Sequence, residues 1–205
     1  MRHLIIFLPI CILFGCNNSA KRISAIELND SAVAITKHFE DTSKYEQAIA
    51  LLNQAIKQDS TIFDLYKNKY FFEVTLGNYK SALNTNNRLI AFRPDSADLF
   101  FQAATFEQFF QDTILAQKSF ERAAILYKRT LDTMNAKSPY YFYDWRLWAC
   151  SMIMIGQESI IHEFLKENCT NKIDSTIYHP EMLSKTKQEL KQVMNKQLTN
   201  LQYRR

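Results

Sequence analysis

"YKSALNTNNRLIAFRP", Tyr79–Pro94, is the stretch on which the reading of this chain turns. It echoes "YEQAIALLNQAIKQDS", Tyr45–Ser60, at a distance of 34 residues. The same interval carries Tyr45 and Tyr79 on to Thr113, and it relates Ala48, Ala82 and Ala116. Asp30, Asp64 and Asp98 keep it, as do Ala55, Leu89 and Ala123, and Ile56, Ile90 and Ala124. Several positions in one register over three copies mark an internal repeat, in which each unit buries its apolar face on the next.

The residue types say what the unit is. Among 205 residues there are three glycines and four prolines, with 47% hydrophobic and 13% aromatic side chains. That composition suits long packed helices and a substantial core better than a turn-rich sheet. A small residue at Ala48, Ala82 and Ala116 lets two helices approach closely, and Tyr45 or Tyr79 wedges between the helices of its unit. Gly77, in "LGNYKSA", stands where a turn between helices needs a positive φ. Pro94 stops one helix so that another begins. Thr61 with Asp64, and Asp95 with Asp98, have capping-box spacing, and Asp30, Asp64 and Asp98 fall in first turns, where the helix dipole favours negative charge.

With this period and these residues the chain resembles the tetratricopeptide repeat family. The resemblance implies an all-α fold, an α-solenoid of three to four helix–turn–helix units. Three units span 29–135, starting at Asn29, Phe63 and Ala97. A divergent fourth, 139–175, puts Gly156 in register with Gly77, Trp145 with Tyr66 and Phe100, and Ala149 with Ala104. Its offset from the third unit is 45 residues, the extra ones falling in a lengthened helix through "ILYKRTLDTMN" and the loop before Pro139. The segment 180–205 carries Leu183, Leu190, Met194, Leu198 and Leu201 on one helical stripe, as a helix capping the open end would.

The N-terminus, "MRHLIIFLPICILFGC", has a basic start, an apolar run from Leu4 to Phe14 too short to span a bilayer, and then Gly15-Cys16. It resembles the signal of bacterial lipoproteins. The resemblance implies that residues 1–15 are removed, that Cys16 is lipidated, and that 16–28 tether the repeats to a membrane. No acidic run follows Cys16, which points toward the periplasmic side of the outer membrane. Losing residues 1–15 removes one arginine and no acid, leaving 24 basic against 21 acidic residues. Positive charge gathers in 181–205, where six Lys/Arg face two Glu. This balance offers no surface for nucleic acid. Cys150 and Cys169 remain as either a disulfide, which export permits, or buried free thiols.

Catalytic and metal motifs are missing. His162-Glu163 begins like a metalloprotease helix, but Lys166 stands where the second histidine should be. No cysteine pair has ligand spacing, and three scattered glycines build no phosphate loop. The expectation is a non-enzyme without metal or cofactor. Arrays of the resembled family bind protein segments on the concave face made by the first helix of each unit. Helical projection puts Lys37, Lys67, Asn68, Phe71, Phe101, Thr105, Phe109 and Tyr143 there. Phe71, Phe101 and Phe109 form either an exposed aromatic strip for a partner segment or part of the core. The expected function is thus a membrane-anchored scaffold that docks an envelope protein or peptide segment. The alternative is a glycan or small-molecule binding lipoprotein, with Tyr140, Tyr141, Tyr143, Trp145 and Trp148 stacking on sugars.

Overall fold

A computed structural model describes residues 23–36 and 42–168. Among them the chain forms eight helices and no strand: α1 (Ala25–Ile35), α2 (Thr42–Gln58), α3 (Phe63–Thr75), α4 (Tyr79–Phe92), α5 (Ala97–Phe109), α6 (Thr113–Thr133), α7 (Tyr141–Met154) and α8 (Glu158–Asn168). Substantial packing runs between helices consecutive in the chain, which is the contact pattern of a solenoid. The helices pair as α1/α2, α3/α4, α5/α6 and α7/α8 in an α-solenoid. Cys16, the signal segment, Lys37, Cys169 and the stripe at 183–201 lie outside the described residues.

The repeat register reappears as geometry. Ala48, Ala82 and Ala116 are fully buried, and Ile161 takes the corresponding place in the fourth pair. In the first three pairs a buried methyl occupies this position, a side chain small enough to let two paired helices pack closely. The turns repeat as well. Gly77 and Gly156 have φ of 74° and 75°. In each, the N–H one residue further on reaches back across the turn, from Asn78 to the Glu73 carbonyl (2.8 Å) and from Gln157 to that of Met152 (2.9 Å). This is the left-handed helix end that glycine favours. At the third turn, Asp112 N–H reaches the Glu107 carbonyl at 2.9 Å, and Gln111 takes the positive φ, 63°, without being glycine. The longer offset to the fourth pair is absorbed by α6, which has 21 residues against 14 in α4, and by the loop before Tyr141.

Local details depart from expectation in three places. First, α1 begins at Ala25 and not at Asn29, because Ser24 and Glu27 form a reciprocal capping box (3.2 and 2.8 Å). Asp30 is therefore in mid-helix, and Ala25, Leu28 and Ala32 carry the buried stripe. Second, the capping boxes expected at Thr61/Asp64 and Asp95/Asp98 do not form. The caps are Ile62 and Ser96, one residue later, with no side-chain bond. Thr61 instead donates through its amide and hydroxyl to Asp59 (2.9 and 2.6 Å). Asp64 and Asp98 do occupy first turns. Third, the repeat tyrosines find their ring partners in the following unit. Tyr45 meets Phe72 at 5.5 Å between centroids, and Tyr79 meets Phe106 at 5.7 Å, the same contact one register on. The aromatic after the turn thus joins unit to unit.

The core follows this stacking. One buried cluster links α1 to α4 and reaches Leu99, a second joins α6, α7 and α8 around Trp145 and Trp148, and Ala104, Ala116 and Phe120 bridge α5 and α6. Fully buried leucines such as Leu52 and Leu65 each contribute about 1.5–3 kcal/mol by removal from water.

Candidate functional site

On α3, Lys67, Asn68 and Phe71 share one turn. Lys67 is exposed, and Asn68 donates from Nδ2 to Asn29 Oδ1 on α1 at 2.8 Å, tying the first two pairs together. Phe71 is 52% exposed, held from one side by an edge-on contact with Phe72. The strip does not continue from there. Phe101 is half-buried, set edge-on to Phe120 and Tyr127, and Thr105 donates its hydroxyl to the Phe101 carbonyl at 2.9 Å. Phe109 is corrected to a core residue. It is 5% exposed, with Tyr79 edge-on at 5.4 Å, because the second helix of the preceding pair reaches across to cover it. Tyr143 on α7 is half-exposed at 50%.

The sugar-stacking cluster is corrected too. Trp145 and Trp148 are core residues, Trp148 packing on Phe164, while Tyr140, Phe142 and Tyr143 stay exposed. Cys150 is a buried free thiol, and burial pushes its pKa up to about 11.

Sequence reading missed a group that three helices assemble. The buried Tyr127 of α6 donates its hydroxyl to Asp98 Oδ1 of α5 at 2.5 Å. Burial, and then the Asp98 carboxylate, hold that phenol far above its ordinary pKa, so it remains a donor. Tyr143 and Asp144 of α7 feel the same field. Burial first, and Asp98 next, raise the pKa of both. The result is two neighbouring carboxylates, Asp98 and Asp144, beside an exposed phenol. The only sequence cue was that Asp98 and Tyr143 share a repeat position, 45 residues apart.

Two clefts occupy one architectural position, over the first helix of a pair and between successive second helices. The larger, about 570 Å³, lies among α6, α7 and α8, with Trp148, Met152 and Ile160 in its lining. The other, about 320 Å³, lies among α2, α3 and α4, with Lys69, Glu73 and Ser81 at the same three register positions. The chemistry therefore changes from polar to apolar along the stack while the geometry repeats. Among the described residues, no group of histidine, cysteine and carboxylate side chains could hold a metal, and no helix is long and apolar enough to cross a membrane.

No protein-family model and no curated protein matches the chain. Solved structures do. A crystal structure of MamA is 13% identical, with 78% of this chain and 79% of that one covered, at a TM-score of 0.50. MamA from Desulfovibrio magneticus RS-1, from residue 41 to its end, is 12% identical, with 71% and 74% covered and a TM-score of 0.49. A tetratricopeptide repeat protein from Parabacteroides merdae is 16% identical, with 89% and 86% covered, at 0.43. At such identities the likeness is one of fold.

Proposed function

We propose that the chain is a lipid-anchored interaction module. Cys16 holds it at the periplasmic face of a bacterial outer membrane, and the inner face of its first helices docks an extended segment of another envelope protein. The observation that carries this reading is the half-exposed Phe71, flanked on its own helix face by Lys67 and Asn68. Covering such a ring completely is worth on the order of 1–2 kcal/mol, and a preformed stack spends little on ordering to receive it. Farther along, Asp98 and Asp144 supply the charge that a lysine or arginine would meet. The segment this surface fits therefore presents an apolar side chain and, some distance on, a basic one. Lys37, Lys67, Asn68, Phe101, Thr105 and Tyr143 are its proposed neighbours. The anchor rests on the resemblance of Leu13–Cys16 to a lipoprotein signal.

Crosslinking of the native lipoprotein in cells, with captured peptides identified, tests the reading. Phe71→Ser should lose the captured envelope protein while the melting temperature falls by only a few degrees, since half of the ring already stands in water. Capture unchanged in that variant refutes the inner face as the docking site.

A further inference from the structure

The polar cleft among α2, α3 and α4 is not what packing alone requires. Its register partners in the fourth pair are apolar: Trp148 for Lys69, Met152 for Glu73, Ile160 for Ser81. In the fourth pair this position therefore accommodates hydrocarbon, Trp148 and Met152 being buried there. In the second pair it holds instead a carboxylate that is nearly sealed from water, Glu73 being 3% exposed. A buried carboxylate is an expense to stability unless it is partnered, and Glu73 is partnered from within. Thr85 donates its hydroxyl to Oε2 at 2.7 Å, and the Lys69 ammonium lies 3.7 Å from Oε1. Burial raises its pKa, and both partners pull it back.

That arrangement fixes the floor of the cleft and leaves its mouth with an unused cation. Arg88 is exposed and, among the described residues, has neither an acidic nor a hydrogen-bonding partner. It also lines an adjoining cleft of about 220 Å³, and the two spaces share Tyr66 and Arg88. Lys69 and Arg88 against Glu73 give the described lining one net positive charge. Ser81 and Asn84 add neutral donors and acceptors on the α4 wall. Tyr66, Lys69 and Glu73 lie about 200° around α3 from Asp64, Lys67 and Phe71, so this site is separate from the inner face.

We propose that this cleft binds a small ligand through its carboxylate. The Arg88 guanidinium takes the carboxylate in the two-pronged pairing that its planar fork favours. Lys69, paired with Glu73 in the same cleft, offsets the negative charge of its floor. Ser81 and Asn84 meet the hydroxyl or amide groups next to the carboxylate. A sugar acid and the free end of a short peptide both carry that chemistry. The cleft, about 320 Å³, has the size of a small-ligand site, and no bond is made or broken.

Calorimetric titration of the full chain with D-glucuronate and, separately, with the dipeptide Ala-Ala tests the proposal. Methyl glucoside and Ala-Ala amide serve as uncharged controls at matched ionic strength. The expected result is saturable binding of at least one carboxylate and of neither control. Glucuronate alone identifies a sugar acid, Ala-Ala alone a peptide end, and both together recognition limited to the carboxylate. Arg88→Gln should weaken that binding about tenfold or more without moving the melting temperature. Ser81→Leu, which installs the residue type of Leu115 one register on, should block it by filling the cleft. Absence of saturation with both carboxylates, or binding indifferent to Arg88→Gln, overturns the proposal.

Discussion

The third inter-helix turn makes a quantitative prediction about backbone strain. Gln111 holds φ at 63°, a conformation that its register partners Gly77 and Gly156 enter as glycine. An L-residue in the left-handed region costs roughly 1–2 kcal/mol. Glycine loses more chain entropy on folding, by about 0.4–1 kcal/mol. Gln111→Gly should therefore stabilise the chain by the difference, on the order of 0.8 kcal/mol. Gly156→Ala is the mirror experiment. A β-carbon there meets nothing within 4 Å, so its penalty is purely conformational and should match in size with opposite sign. For a chain of this length each change moves the melting temperature by about 2–3 °C. Urea unfolding followed by far-UV circular dichroism reads both, with slope checked for constancy. The reasoning fails if Gln111→Gly destabilises, or if Gly156→Ala costs nothing.

The core assignment of Phe109 predicts that Phe109→Ala loses about 3–5 kcal/mol, read by urea midpoint, in contrast to Phe71→Ser. Enlarging the helix crossing with Ala82→Leu should cost about 1–3 kcal/mol or more through overpacking, by the same assay. Cys150 should resist iodoacetamide at pH 8 in the folded chain and react after unfolding, as peptide-resolved mass spectrometry would report, because a thiol at about 11 is almost wholly protonated there. Asp144 has a raised folded pKa, so the native state favours its protonated form and stability is lost as pH rises through that pKa. Asp144→Asn should thus match wild type near pH 3 and unfold at slightly higher urea at pH 7.

What the sequence disclosed, and what it hid, divides along the range of the interactions. The 34-residue register, the small residues at the helix crossings and the turn glycines were legible because each acts within one unit. So was the offset of the fourth pair, since Gly156 repeats the conformation of Gly77. Gln111 was not, because its side chain gives no sign of a positive φ; only the register does. The α3 cap shifted by one residue, with Thr61 bonded to Asp59 instead. Phe109 looked like a groove residue because projecting one helix ignores Tyr79 of the preceding pair. The Asp98–Tyr127–Tyr143–Asp144 group draws on three helices, and its central bond joins residues 29 positions apart. No periodicity within one segment announces such a site.

The central claim is that a partner segment lies along the inner face. A photo-crosslinking amino acid placed at Phe71, compared with the same probe at Ile125, tests it most directly, because Ile125 is exposed yet lines the cleft on another face. The account predicts an adduct from position 71 to a single envelope protein, at a peptide bearing a lysine or arginine. That adduct should weaken when Asp98 and Asp144 are both changed to asparagine, and position 125 should not yield it. The same adduct from both positions, or one from position 71 indifferent to the two carboxylates, would contradict it.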